Sequence, residues 1–257
     1  RESLAASQKS VELSPQDAKA HYNLGGTLQA LGRLDEAEAC YTQAIALKPD
    51  LVEAHSNLGI TLKELGRLDE AEASYTQAIA LKPDYALAHY NLGNTLKVLE
   101  RLEEAEASYT QALAFKPDFD LAHNNLGNTL KELGRFNDAE ASLRQAITLK
   151  PAYAEAHSNL GVTLKELGRL EEAEASYTQA IALKPGYVDA HNNLGNTLEE
   201  LGRMEESVSS FQQAFANRTG IRPVGEDVLA PATTQVFFEL TNKCNFHCDF
   251  CPSDSQK

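Results

Sequence analysis

The sequence predicts an all-α fold, a solenoid of antiparallel helix pairs followed by a short C-terminal strand and loop tail. Three observations carry that prediction. Histidine recurs at positions 21, 55, 89, 123, 157 and 191, a strict step of 34 residues that matches a helix–turn–helix period and not one globular core. Proline closes the same period at Pro49, Pro83, Pro117, Pro151 and Pro185, where it stops a helix by removing a donor and crowding the preceding turn. Glycine stands just past the first helical stretch at Gly32, Gly66, Gly134, Gly168 and Gly202, where a left-handed C-terminal turn favours it. Such a chain has a linear core, each unit packing mainly on its neighbours.

Residues 1–17 read as the second helix of a partial preceding repeat, with Val11, Leu13 and Pro15 in phase. Six full units follow, at 18–51, 52–85, 86–119, 120–153, 154–187 and 188–221. In the third, His89, Leu92, Gly93 and Leu96 fall at i, i+3, i+4 and i+7 of the first helix, one stripe expected to be buried. The small Gly93 lets a neighbouring helix come close. On the second helix Ala105, Tyr109 and Ala112 make the inward face ahead of Pro117. Glu100 holds the turn position that glycine holds elsewhere, so that turn is expected to carry about 1 kcal/mol of strain or to adopt another conformation. The sixth unit has Thr219 at the proline position and Ser207 in place of an inward alanine, and is expected to end the array.

The formal charge of −14 is placed by the helices and not by a partner. Acids cluster where second helices begin (Asp35, Glu36, Glu38; Asp69, Glu70, Glu72; Glu103, Glu104, Glu106; Glu171, Glu172, Glu174), and Lys48, Lys82, Lys116, Lys150 and Lys184 stand where they end. Each complements the helix macrodipole by about 0.3–1 kcal/mol. Such a balance argues against nucleic acid as a partner, which needs a basic stripe to neutralise phosphates. No run of 18 apolar residues exists, so no membrane span is expected. Cys40 stands alone while Cys244, Cys248 and Cys251 crowd together, which suggests a metal site in a reducing, cytoplasmic compartment. The six histidines are expected to pack in the core and not to share a metal. Equivalent positions in stacked helix pairs lie about 10 Å apart, too far for an ion bound at about 2.1 Å.

Leu and Gly in the first helix, Ala, an aromatic and Ala in the second, and the closing Pro resemble the tetratricopeptide repeat (TPR) family at its own spacing over residues 18–221, with His where the family often has Trp. The units are similar to the repeat region of O-linked N-acetylglucosamine transferases. The resemblance implies a right-handed superhelical solenoid whose concave groove holds an extended peptide or a partner protein. Asn23, Asn57, Asn91, Asn125, Asn159 and Asn193 lie two residues after each histidine, about 200° around the helix and away from the buried stripe. Asparagine is unfavourable in a helix by about 0.5 kcal/mol against alanine, but its amide donates and accepts together and so matches a peptide-bond edge. In the resembled family this position forms an asparagine ladder on the backbone of a bound peptide; on the residues alone, bonds to neighbouring helices are the other reading. Further along the same helices lie Lys63, Lys97, Lys131 and Lys165, where the end units have Gln29 and Glu199. These would form a basic ridge suited to acidic side chains or a terminal carboxylate, or serve as solvated lysines near a helix end.

Residues 222–232, with Pro223, Gly225 and Pro231, read as a linker, and residues 233–241 as a strand. Cysteines at 244, 248 and 251 have a spacing that can wrap three thiolates around three irons of a [4Fe–4S] cube, leaving the fourth iron open. A zinc site with His247 or Asp249 as fourth ligand is the alternative. The segment ELTNKCNFHCDFCPS resembles the opening of radical S-adenosylmethionine enzymes, with Phe250 as the aromatic that commonly precedes the third cysteine. That resemblance implies a [4Fe–4S] cluster on Cys244, Cys248 and Cys251, with S-adenosylmethionine at the open iron, in a longer parent. Residues 233–257 hold only the first strand and the cluster loop, so the chain alone is not expected to catalyse. Two functions follow: a scaffold that is the N-terminal recruiting region of such an enzyme, or a stand-alone adaptor whose cysteines form a structural zinc site.

Overall fold

In the computed structural model the described residues are 2–220. The strand, the linker and Cys244, Cys248 and Cys251 lie outside them. Among the described residues there are thirteen helices and no strand: α1 (Glu2–Leu13), α2 (Ala18–Ala30), α3 (Leu34–Leu47), α4 (Val52–Glu64), α5 (Leu68–Leu81), α6 (Ala86–Val98), α7 (Leu102–Phe115), α8 (Asp120–Glu132), α9 (Phe136–Leu149), α10 (Ala154–Glu166), α11 (Leu170–Leu183), α12 (Val188–Glu200) and α13 (Met204–Thr219). They fall into two compact units whose boundary in sequence is Gly168/Arg169.

In the first unit α2 pairs with α3, α4 with α5, α6 with α7 and α8 with α9, and each second helix also packs on the following first helix. First helices touch their successors directly, α2 with α4, α4 with α6, α6 with α8 and α8 with α10, whereas no two second helices of this unit meet to that extent. The first helices therefore line the inner side of the unit. In the second unit α11 packs on α12 and α12 pairs with α13.

The pairing rests on a small residue facing a large one. A methyl group placed on Gly59 would lie 2.6 Å from the Tyr75 ring; the corresponding gaps are 2.8 Å at Gly25 to Tyr41, 2.7 Å at Gly93 to Tyr109 and 2.7 Å at Gly195 to Phe211. Tyr41, Tyr75 and Tyr109 are fully buried, as are the flanking alanines Ala37 and Ala44, Ala71 and Ala78, Ala105 and Ala112. The buried face of a first helix differs from the stripe expected of it. Ala88, Gly93, Thr95 and Leu96 are buried, while His89 and Leu92 are half-buried. Threonine tolerates burial there because its Oγ1 donates to the carbonyl one turn back, as from Thr95 to Asn91 at 3.0 Å, which leaves its methyl for packing.

The histidines do more than pack. Each Nε2 lies 2.9–3.0 Å from the carbonyl of the proline six residues earlier: His21 on Pro15, His55 on Pro49, His89 on Pro83, His123 on Pro117, His157 on Pro151 and His191 on Pro185. The bond ties the end of one repeat to the start of the next, which accounts for the strict period. Among the described residues no group of three or more potential ligands comes together to hold a metal.

The charges also do more than complement dipoles. Arg67 grips Glu70 with two nitrogens and reaches back to Glu38 of the preceding repeat at 2.7 Å; Arg101 does the same with Glu104 and Glu72, and Arg203 with Glu206 and Glu174. These pairs lie at the surface, where solvent screening leaves each little to contribute to stability. The lysines that end second helices cap them, and Lys82, Lys116, Lys150 and Lys184 also lie over the aromatic just before the next helix, as with Lys116 over Phe119 at 4.6 Å.

Two departures from the repeat have visible consequences. The sixth unit lacks the closing proline, and α13 runs two residues longer than the other second helices before Gly220 ends it at φ 73°. Glu100 takes the left-handed conformation itself, at φ 60°, beside glycines at 71–77° in the equivalent turns. A side chain in that region costs about 1 kcal/mol or more, and the Glu100 side chain is exposed. Glu100→Gly is therefore expected to stabilise the fold by about 1 kcal/mol, read as a rise of a few degrees in Tm by circular dichroism; a fall in Tm would show that the carboxylate makes a stabilising contact.

Candidate functional site

The inner side of the first unit is built by the faces of α2, α4, α6, α8 and α10 that turn away from Gly and Leu. Asn57, Asn91, Asn125 and Asn159 are half-buried there and Asn23 is exposed; Asn193 occupies the same place on α12 in the second unit and is half-buried. In the first unit three of these amides bond the preceding repeat. Asn57 donates to the Tyr22 hydroxyl at 3.3 Å, Asn125 to the Tyr90 hydroxyl at 3.3 Å and to Asn94 Oδ1 at 2.8 Å, and Asn159 to Asn124 Oδ1 at 2.9 Å. Without a ligand, the asparagines thus act between helices.

The residues around this rung vary from junction to junction, and the hydrogen bonding varies with them. Between the third and fourth repeats Asn94 Oδ1 accepts from both Tyr109 Oη, at 2.8 Å, and Asn125. One repeat earlier, Ile60 replaces Asn94 and Ser56 replaces Tyr90. Asn91 Nδ2 and Tyr75 Oη are there buried without a partner. One repeat later, Leu143 replaces the tyrosine and leaves Asn128 Oδ1 buried and unpaired. In the first repeat Tyr41 turns instead to Gln29 Oε1 at 2.9 Å. Burial pushes the Tyr41 hydroxyl up to about 12 and those of Tyr75 and Tyr109 further, so all three are neutral donors at physiological pH.

The four lysines share the inner side but not one state. Lys97 pairs with Glu132 of the next repeat at 3.0 Å. Burial lowers the pKa of Lys131, Glu132 and Glu166 oppose that, and Lys97 reinforces it. Lys165 is also engaged. Lys63 makes no ion pair among the described residues and lines a hollow of about 470 Å³ with Asn94, Lys97, Val98, Tyr109 and Asn125. A second hollow of about 450 Å³ lies at the start of the unit, among Leu4, Tyr22, Asn23, Ala30, Leu31 and Asn57. Asn94, Asn128, Tyr22, Tyr90 and Val98 are thus site residues that the reading of Asn and Lys missed. Their signal in the sequence was departure from the repeat, not agreement with it. No described helix is long and apolar enough to cross a membrane.

Residues 2–231 match the family model described as the C-terminal domain of cilia and flagella-associated protein 70. Among solved structures, YrrB, described as a TPR protein with an unusual peptide-binding site, is 26% identical at a TM-score of 0.60, with 69% of this chain and 92% of that one covered. A thermophilic TPR protein of Thermus thermophilus is 28% identical at a TM-score of 0.55, covering 71% and 99%. PilF of Pseudomonas aeruginosa shares the fold at 16% identity and a TM-score of 0.70, covering 87% and 97%. No curated protein matches the chain.

The unequal rungs give a direct test. Tyr109→Phe deletes a donor that Asn94 uses and is expected to cost about 1 kcal/mol, whereas Tyr75→Phe deletes an unpaired buried hydroxyl and is expected to be neutral or to stabilise by up to about 1 kcal/mol. Denaturant unfolding of the two variants reads the difference; equal losses would mean that Tyr75 Oη is satisfied in solution.

Proposed function

We propose, from the premise that this chain belongs to the family of the cilia and flagella-associated protein 70 C-terminal domain, a tetratricopeptide-repeat family, that it is a protein-interaction scaffold whose inner face holds an extended peptide or partner segment. The observation that carries this reading is the line of Asn57, Asn91, Asn125 and Asn159 along the inner side of the first unit, with Asn91 Nδ2 unpaired. An amide that now bonds a neighbouring helix can turn to a peptide carbonyl and N–H, exchanging one hydrogen bond for another at little net cost. The peptide-binding site named for YrrB supports the class of ligand. Lys63, Lys97, Lys131 and Lys165 border the path, and Asn23 and Asn193 occupy the same position in the first and last full repeats. On this reading, changing Asn91, Asn125 and Asn159 together to Ala leaves far-ultraviolet circular dichroism unchanged and weakens binding of a groove peptide at least tenfold. Unchanged affinity in isothermal titration would refute the asparagine contacts.

The cysteine segment carries a second proposal: the scaffold is the recruiting region of a radical S-adenosylmethionine enzyme. Support comes from the spacing of Cys244, Cys248 and Cys251 and from Phe250. The segment lies beyond the residues matched by the family model. Three thiolates at this spacing suit a cluster with one open iron, and the cluster would supply electrons for cofactor cleavage. Anaerobic reconstitution with iron and sulfide is expected to give a longer parent about four irons per chain, lost on Cys248→Ala, and S-adenosylmethionine cleavage under reduction. One retained zinc and no cleavage would favour the structural zinc reading instead.

A further inference from the structure

Of the four inner-face lysines, three have a glutamate 35 residues on in sequence, and the fourth, Lys63, has Val98. Lys97 pairs with Glu132, 35 residues on, and Lys131 is influenced by Glu166, again 35 residues on. In the observed pair the lysine of one first helix meets the acid near the end of the next. For Lys63 that position is Val98, where the second, fourth, fifth and sixth repeats carry Glu64, Glu132, Glu166 and Glu200. One exchange of Glu for Val therefore leaves Lys63 without its carboxylate, and leaves the Val98 side chain 58% exposed beside it.

The hollow at this place is lined by donors. Asn94 Oδ1 is taken by Tyr109 and Asn125, so the Nδ2 of Asn94, which has no partner among the described residues, is the part of that amide left for a ligand. Lys97 lines the hollow as well, but its charge is already compensated by Glu132. One uncompensated ammonium, one amide donor and an exposed isopropyl group make a pocket for a single carboxylate with an apolar neighbour. We infer that this hollow is a specificity subsite that takes an acidic side chain of a bound extended segment, with an apolar residue seated on Val98. The inference rests on the groove reading above. An internal Asp or Glu fits better than a chain terminus because inner-face asparagines lie on both sides of the hollow, Asn57 and Asn91 before it and Asn159 after it, so the bound main chain runs through. In an extended strand, side chains two residues apart share a face at a spacing of about 6.6–7 Å. The recognised pattern is therefore an acid and an apolar residue with one residue between them. A phosphorylated side chain, with nearly two charges at neutral pH, exceeds what Lys63 alone offsets.

The test is panning of a phage-displayed dodecapeptide library on the whole chain, with selected sequences resynthesised with blocked ends. Selected peptides are expected to lose at least tenfold in affinity on the Asn91, Asn125 and Asn159 alanine variant, and to share an Asp or Glu two positions from an apolar residue. Val98→Glu restores the residue that four other repeats carry, so it folds, and it fills the pocket from within. It is expected to weaken those peptides about tenfold, the scale of a lost charge-assisted hydrogen bond, and to abolish their preference over versions with the acid changed to its amide. Val98→Ile should change neither. Asparagine-dependent peptides indifferent to Val98→Glu would overturn the subsite while sparing the groove. Peptides indifferent to the asparagines would overturn both. Tighter binding of phosphorylated versions, or of versions that present the acid only as a free C-terminus, would overturn the internal carboxylate.

Discussion

The close approach of glycine to an aromatic ring within each helix pair is the constraint on which the rest of the structure depends. At Gly59 or Gly93 there is no room for even one methyl group before the ring of Tyr75 or Tyr109. That distance fixes how deep the second helix sits against the first, and hence where the threonine and leucine of the first helix are buried. With the depth fixed, the opposite side of each first helix is fixed too, and the asparagines at 57, 125 and 159 reach a tyrosine or another asparagine of the preceding repeat. Protein interiors tolerate little change of volume, so the inner face inherits its geometry from a contact made on the other side of the helix.

Much of this was legible in the sequence because a repeat tests each inference several times. Proline, glycine, tyrosine and alanine at a fixed period give the helix ends, the turns and the buried face of the second helix without any coordinates. Glu100 stood out as a strained turn or one of another conformation because five equivalent positions are glycine, and it keeps the left-handed turn. What was hidden depended on partners outside any local window. Thr95 reads as polar, yet it is fully buried because its hydroxyl bonds its own helix. The histidines read as core residues, but what fixes them is a carbonyl across the loop. The lysines read as a ridge or as solvated ends, but what sets them apart is an acid 35 residues on for Lys97 and burial for Lys131. The cysteine segment is legible as a motif, and its structure lies outside the described residues.

The outer and inner sides of the repeats solve different problems with similar residues. Outside, arginine and glutamate links such as Arg67 to Glu38 join successive repeats through water-exposed pairs that salt weakens. Inside, apart from the Lys97–Glu132 pair, the links are neutral amides and hydroxyls, half-buried and little affected by ionic strength. On the groove reading, exchanging an amide–hydroxyl bond for one to a peptide would change no net charge.

A strictly periodic groove has a weakness as a reader of sequence. If every rung were alike, an extended segment could advance by one repeat and find the same contacts, so its bound state would be a set of equivalent placements and not one. The junctions of the first unit are not alike: Ile60, Asn94 and Asn128 sit at one position, and Glu64, Val98 and Glu132 at another. Each substitution breaks the translational symmetry of the array and singles out one placement. On the groove reading the irregularities are an index mark on an otherwise uniform ruler, by which a surface that would grip any backbone could also tell where along it the hold was taken.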